Sequence, residues 1–232
     1  MKILPTITTI TPGKWRDKIA EVKKFKLKEV AVFPTCLNRE ARKEFFSLLK
    51  ETDVKRIPFV HLRSDISLEE IDYLVRVYKT EAFNIHTKRE YPSLQDCGPY
   101  RKIIYIENTY EPFDEEEIKE FGGICLDFSH LENDRLFRRK VYEHNIKVIK
   151  KYPCGCNHIG PAKDFACLDR ELGNIDNQRP HFLKKLSELD YLKRYPSSYF
   201  SPLTALELEN SIEEQLEVKK YISALVKNKY EN

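Results

Sequence analysis

The chain has 232 residues, 41% of them hydrophobic and 33% charged, with 40 basic against 37 acidic side chains and a formal net charge of +3. This fits one soluble globular domain over residues 1–232 with a full core; so balanced a charge gives no case for nucleic-acid binding by composition alone. No run approaches the roughly 18 apolar residues that span a bilayer, and the opening MKILPTITTITPGKW reads as a first strand rather than a signal peptide, so a cytoplasmic protein without a membrane partner is expected.

In chain order, strand-like and helix-like stretches alternate eight times. The expected strands are 3–9, 29–34, 57–61, 82–86, 102–107, 123–127, 155–158 and 203–209. Amphipathic segments lie between them at 14–25, 39–51, 68–79, 114–121, 134–151 and 211–227. In the third of these, Leu68, Ile71, Leu74 and Tyr78 recur at helical spacing. Ser67-Leu-Glu-Glu70 and Ser211-Ile-Glu-Glu214 have the Ser and Glu spacing of capping boxes. Strand, helix, strand with short connections means a parallel sheet, and eight such units favour closure into a (β/α)8 barrel. Two connections are irregular: 87–101 replaces a helix with a loop bearing Pro and Gly, and 159–190 is longer still.

Acidic and imidazole side chains close the apolar runs. IPFVH ends on His61, AFNIH on His86, KIIYIE on Glu107, GGICLD on Asp127, CGCNH on His158 and LTALELE on Glu209. A side chain at the C-terminal end of a parallel strand points into the mouth of a barrel, and such donors suit a divalent metal. In the last strand Glu207 and Glu209 share one face. Glu209, the later residue, is expected nearer the mouth, whereas Glu207 has the option of pairing with a Lys deeper in the barrel. Asp127 and His130 lie three apart where a strand turns into its loop; Asp127 could equally cap the segment that follows. His61, His86 and His181 are weaker as single signals, yet of six histidines only His144 sits mid-helix. Of the six cysteines, Cys125 reads as core. Cys154, Cys156 and Cys167 lack the second Cys-x-x-Cys pair that would mark a structural zinc.

These segments resemble the xylose-isomerase-like TIM barrels, the superfamily that holds sugar isomerases and epimerases together with endonuclease IV. Ile106-Glu107-Asn108-Thr109 resembles the strand-five Glu-Asn segment of endonuclease IV, and the segment from Gly123 to His130 resembles its Leu-Asp-x-x-His segment. The resemblance implies a TIM barrel with a metal site at the C-terminal face of its strands. It implies zinc ions on His61, His86 and Glu107, on Glu107, Asp127, His158 and Glu209, and on His130 and His181 with Asp176. Two departures stand out: Asp176 and His181 have four residues between them where the family has one, and His61 is followed by Leu62-Arg63-Ser64 instead of a Tyr-Leu wedge.

The resemblance carries two activities. One is a phosphodiester hydrolase of the abasic-site endonuclease kind, in which two or three Zn2+ ions hold a hydroxide that attacks phosphorus. Glu107, Glu209 and His130 would be its catalytic residues, Arg63 and Lys163 would bind phosphates, and the substrate would be DNA or a small phosphoester. The other is a sugar or sugar-phosphate isomerase or epimerase with a single Mn2+ or Mg2+, in which Glu107 and Glu209 shuttle protons. The His61 and His86 pair favours the hydrolase.

Overall fold

The computed structural model describes residues 1–92, 96–163, 167–169, 174–176 and 181–230. Short apolar runs that cannot bury both faces alone pair side by side in parallel, and the amphipathic helices between them cover the outside. The strands are β1 (Lys2–Leu4), β2 (Thr6–Thr8), β3 (Ala31–Phe33), β4 (Phe59–His61), β5 (Ala82–Ile85), β6 (Ile104–Glu107), β7 (Ile124–Asp127) and β8 (Cys154–Ile159), then a hairpin of β9 (Cys167–Asp169) and β10 (Asn174–Asp176), and β11 (Leu203–Leu206). Apart from that hairpin they form one parallel nine-stranded sheet in the order β1-β11-β8-β7-β6-β5-β4-β3-β2.

The two ends of this sheet are consecutive in the chain. Pro5 divides the first expected strand: Lys2–Leu4 pairs with Leu203–Ala205, and Thr6–Thr8 pairs with Ala31–Phe33. The sheet is therefore a nearly closed barrel. Where β2 faces the chain beyond β11, side chains take the place of a ladder. Gln215 accepts from the Thr6 N–H at 2.7 Å and donates to its carbonyl at 3.1 Å, and the Thr8 hydroxyl lies 3.2 Å from the Leu208 carbonyl. Inside, Leu4, Ala31, Phe33, Phe59, Ala82, Cys125, Cys156, Leu203 and Ala205 form one buried cluster drawn from seven strands.

The helices are α1 (Lys14–Lys24), α2 (Arg39–Lys50), α3 (Leu68–Tyr78), α4 (Glu115–Glu120), α5 (Phe128–Phe137), α6 (Arg139–Ile149) and α7 (Ile212–Tyr230). Both expected capping boxes form: Ser67 with Glu70, and Ser211 with Glu214. Arg42 on α2, fully buried, pairs with Glu70 and Asp65 at 2.8 Å each and so ties α2 to the start of α3. No helix among the described residues is long and apolar enough to cross a membrane.

Three boundaries differ from expectation. The helix expected over 134–151 is two helices, broken at Arg138, and the first begins directly after Asp127. Residues Phe128 to Asp134 are all buried, so the one-sided apolar stripe that reveals a surface helix is missing there. The last strand stops at Leu206, three residues short of Glu209. In place of a full fourth helix the chain makes a 3-10 turn at Gly98–Ile103, and a second 3-10 segment, Leu186–Arg194, lies in the long connection before β11.

One local irregularity sets the phase of β8. Ile124 lies opposite Cys154 but Cys125 opposite Cys156, which makes Gly155 the extra residue of a bulge. A Cβ at position 155 would sit 2.0 Å from the Tyr105 ring, so only glycine fits. Gly155→Ala is expected to cost about 1–3 kcal/mol by overpacking, read as a lowered denaturant midpoint. Gly155→Ala combined with Tyr105→Leu should recover part of that loss.

Candidate metal centre

Alternation along each strand places every second side chain inside the barrel. On β11, Leu203 and Ala205 are members of the inner cluster, so Glu207 is the next inward position. On β8, Cys156 and His158 point inward; on β7, Cys125 and Asp127; on β4, Phe59 and His61; on β5, Ala82 and Asn84. Each strand thus carries apolar or thiol side chains below and a polar one above.

Two groups of donor atoms result, each with all its atoms within 4.8 Å of one another: His61, His86 and Glu107, and Glu107, Asp127, His158 and Glu207. Glu107 belongs to both. Its Oε2 lies 3.1 Å from His61 Nε2 and 3.8 Å from His86 Nε2, and its Oε1 lies 3.5 Å from His158 Nδ1. His158 Nδ1 is also 3.6 Å from Asp127 Oδ2 and 3.6 Å from Glu207 Oε2. Donor atoms around a tetrahedral cation with bonds of about 2.0–2.2 Å are about 3.3–3.6 Å apart, the separation seen around His158.

The hydrogen bonds leave the same atoms bare. Asp127 Oδ2, His158 Nδ1 and Glu207 Oε2 are buried and have no hydrogen-bond partner among the described residues. Buried polar atoms are almost always satisfied, so three that converge on one point suit a cation. Asp127 divides its labour. Its Oδ1 accepts from Ser129 Oγ at 2.6 Å and from the His130 N–H at 2.8 Å, capping α5, while Oδ2 faces the donor group. The capping reading of Asp127 holds through Oδ1, and Oδ2 lies in a donor group that could hold a cation.

Two of the imidazoles are oriented by hydrogen bonds on the nitrogen that faces away from the donor groups. His61 Nδ1 lies 2.9 Å from the Leu62 carbonyl and donates to it, leaving the Nε2 lone pair toward Glu107. His158 Nε2 lies 3.2 Å from Asn84 Oδ1, which turns Nδ1 toward the carboxylates. The Nδ2 of the same Asn84 donates to Glu107 Oε2. Asn84 is fully buried and spans the two groups, yet sequence reasoning missed it. Its signal was a lone amide at the inward position of the apolar run Ala82-Phe83-Asn84-Ile85. The His61 tautomer follows from the carbonyl that its Nδ1 faces.

Charge in the cluster is unbalanced. Burial alone raises Glu107, but His158 and His61 override it and hold the carboxyl well below the usual range. Burial likewise raises Asp127, and His130 and His158 bring it below its ordinary value. Burial lowers His158, yet Cys125, Glu107 and Asp127 together hold it well above 6.5. His86, with 27% of its side chain exposed, is lowered less firmly: crowding by its neighbours pulls it down against the opposing effect of Glu107. Three carboxylates in a buried space demand a positive charge, and without a cation a proton on His158 supplies it.

Glu209, expected as a ligand, is not in either group. The register explains why: Ala205 lies opposite His158 and the Glu207 N–H donates to the Ile159 carbonyl, so Glu207 reaches the cluster while Glu209 lies past the rim. Glu209 serves the barrel seam instead, accepting from Thr8 Oγ1 and, at 3.1 Å, from the Thr11 N–H, with buried Lys18 at 3.5 Å. Burial takes that lysine down to about 8 although Glu209 raises it. Lys163, expected at the rim to hold phosphate, is buried against Glu188 at 2.8 Å and the Phe182 carbonyl. Arg63 stays partly exposed, tethered to Asp65 at 3.0 Å and to the Thr35 carbonyl at 2.9 Å. His130 is buried edge-on against Tyr110 with ring centroids 5.1 Å apart, and it joins neither donor group. His181 is buried with Nδ1 lacking a hydrogen-bond partner among the described residues, and it too joins neither group. The Asp176 side chain lies outside the described residues. His144 is exposed, as expected, with its ring bonded to the Phe113 carbonyl at 2.8 Å. No family model and no curated protein matches the chain.

Two outcomes are expected. First, the raised His158 pKa means that Nδ1 must lose a proton before it can bind a cation. Affinity for Zn2+ should therefore rise with pH, by up to about tenfold per unit while His158 is protonated, with proton release measurable by calorimetry in two buffers. In the cation-free protein the sign is opposite: the stabilising contact of protonated His158 with its carboxylates is complete below pH 6.5 and is lost as pH climbs through the raised value. Second, Glu207→Gln should weaken cation binding while leaving the fold intact. Glu209→Gln should lower stability by about 1–3 kcal/mol through Lys18, and leave cation affinity nearly unchanged.

Proposed function

We propose that this chain is a divalent-metal-dependent phosphodiester hydrolase built on a (β/α)8 barrel, similar in its chemistry to endonuclease IV, with two Zn2+ ions as the preferred cofactors. The observation that carries this reading is the division of Glu107: one carboxylate oxygen faces the two imidazoles of His61 and His86, and the other faces Asp127, His158 and Glu207. A carboxylate used in that way suits two cations roughly 3.5–4 Å apart, the spacing of sites that clamp a phosphoryl group in line. When bound there, such a pair lowers the pKa of a coordinated water and neutralises charge on the phosphoryl oxygens.

The side chains of the protein do the rest. Asn84 fixes the orientation of Glu107 and of His158 in one step. Phe33, with its ring centroid 4.6 Å from that of His158, forms an apolar floor that keeps bulk water from the donor atoms. Arg63, partly exposed in the loop after His61 and paired with Asp65, would be the phosphate contact under this reading; Lys163, paired with Glu188, would have no part in it. His61-Leu62-Arg63-Ser64 offers no aromatic wedge for a duplex, which inclines this reading toward a smaller phosphoester, with abasic-site DNA as the other substrate class.

A second reading keeps the lower group alone. Three carboxylates and one imidazole make a donor set rich in hard oxygens, and one Mn2+ or Mg2+ there would serve a sugar or sugar-phosphate isomerase or epimerase. Under this reading His61 and His86 have no cation to hold. The test is cleavage of an abasic-site duplex and of bis(p-nitrophenyl) phosphate by the Zn2+-loaded protein, with and without chelator. Chelator-sensitive cleavage of either, lost by at least about 100-fold in His61→Ala, is the expected result. Binding of one exchangeable Mn2+ per chain with no phosphodiester cleavage would overturn it in favour of the isomerase.

A further inference from the structure

His61 and His158 are oriented by groups close to the sheet, but His86 is oriented from a loop. Its Nδ1 faces Glu90 Oε2 at 3.6 Å, one helical turn on in sequence, while its Nε2 points to His61 Nε2 at 3.0 Å. The other oxygen of Glu90 is already engaged. Oε1 accepts from the Thr109 hydroxyl, from the Tyr110 N–H at 2.8 Å and from the Glu111 N–H at 3.0 Å. These three donors belong to the loop that follows β6, the strand that ends in Glu107. His86 is also the most exposed of the histidines in the two donor groups, at 27% of its side chain against 4% for His61 and 0% for His158.

We propose that Glu90 is the positioning residue of the outer cation site, holding His86 with its proton on Nδ1 and fastening that histidine to the loop at Thr109–Glu111. The proposal rests on the two-cation reading above and assigns to one carboxylate what the cation requires of His86. A carboxylate facing Nδ1 places the ring proton there and leaves Nε2 as a lone pair, and it makes the imidazole a stronger donor. With Oε1 fixed by the loop, Oε2 has no freedom to turn away. The pair therefore acts as a rigid carboxylate–histidine unit although it lies outside the sheet.

The geometry makes Glu90→Gln a sharp test. The loop donors hold the amide oxygen where Oε1 stands, which leaves the NH2 group to face His86 Nδ1. A donor there forces Nδ1 to accept and puts the proton on Nε2, the nitrogen that a cation needs bare. Co2+ alone serves as the probe, followed by its visible absorption during titration and by hydrogen exchange at the amides of residues 109–111. Wild type should take up two Co2+ and His86→Ala one. Glu90→Gln should bind the first Co2+ as wild type does and the second about 10- to 100-fold more weakly, with loop protection kept. Glu90→Ala should lose the second Co2+ and the loop protection together. If Glu90→Gln binds both ions like wild type while Glu90→Ala loses loop protection, Glu90 merely pins the loop and the proposal falls. Wild type that binds fewer than two Co2+ overturns the two-cation reading itself, an outcome distinct from the previous one.

Discussion

Three carboxylates and three imidazoles converge at one end of a nearly closed sheet, in a space where side chains are almost wholly buried. Isolated burial of even one ionised carboxylate is costly, and several together are tolerated only with opposite charge among them. The local structure is arranged around that requirement. Asn84 and the Leu62 carbonyl take the outward nitrogens of two histidines, and the backbone of α5 takes one oxygen of Asp127. What stays unshared is the set of atoms that point at one another. The polar end of the barrel could hold a cation, and the apolar cluster of Phe33, Phe59, Cys125 and Cys156 beneath it packs the interior.

The barrel seam explains why the acidic residues of the last strand part company. Pairing beyond β11 is incomplete, and Gln215, Thr8 and Lys18 fill the gap with side-chain hydrogen bonds. Glu209 falls within that repair and is spent on it. Glu207, two residues earlier, still follows the inward phase of the strand and reaches His158. A difference of two residues, about 6–7 Å along an extended chain, separates a structural carboxylate from a candidate ligand.

Much of this could be read from the chain alone. Alternation of short apolar runs with amphipathic segments carried the parallel α/β sheet, and strand-terminal acids and histidines carried His61, His86, Glu107, Asp127 and His158 into their groups. The choice between Glu207 and Glu209 was not accessible, because both share a face and only the register against β8 separates them. Asn84 was overlooked since an amide is seldom weighed as a ligand partner. Lys163 looked like a rim cation because nothing in its local sequence announces Glu188, which is 25 residues away. The early start of α5 was hidden for another reason: its first turns are buried on all sides, polar Ser129, His130, Glu132, Asn133 and Asp134 included, so no apolar stripe marks them.

The bulge at Gly155 has a bearing on how this sequence can drift. The Tyr105 ring occupies the volume that a methyl group at 155 would need, so the two positions form one steric unit across the barrel interior. Position 155 is not free to change while that ring is in place. A larger residue at 155 becomes admissible only after the ring at 105 has shrunk, and the reverse order passes through an overcrowded intermediate. Substitution at this pair is therefore epistatic and path-dependent, and related chains should show the two sites covarying although they are 50 residues apart.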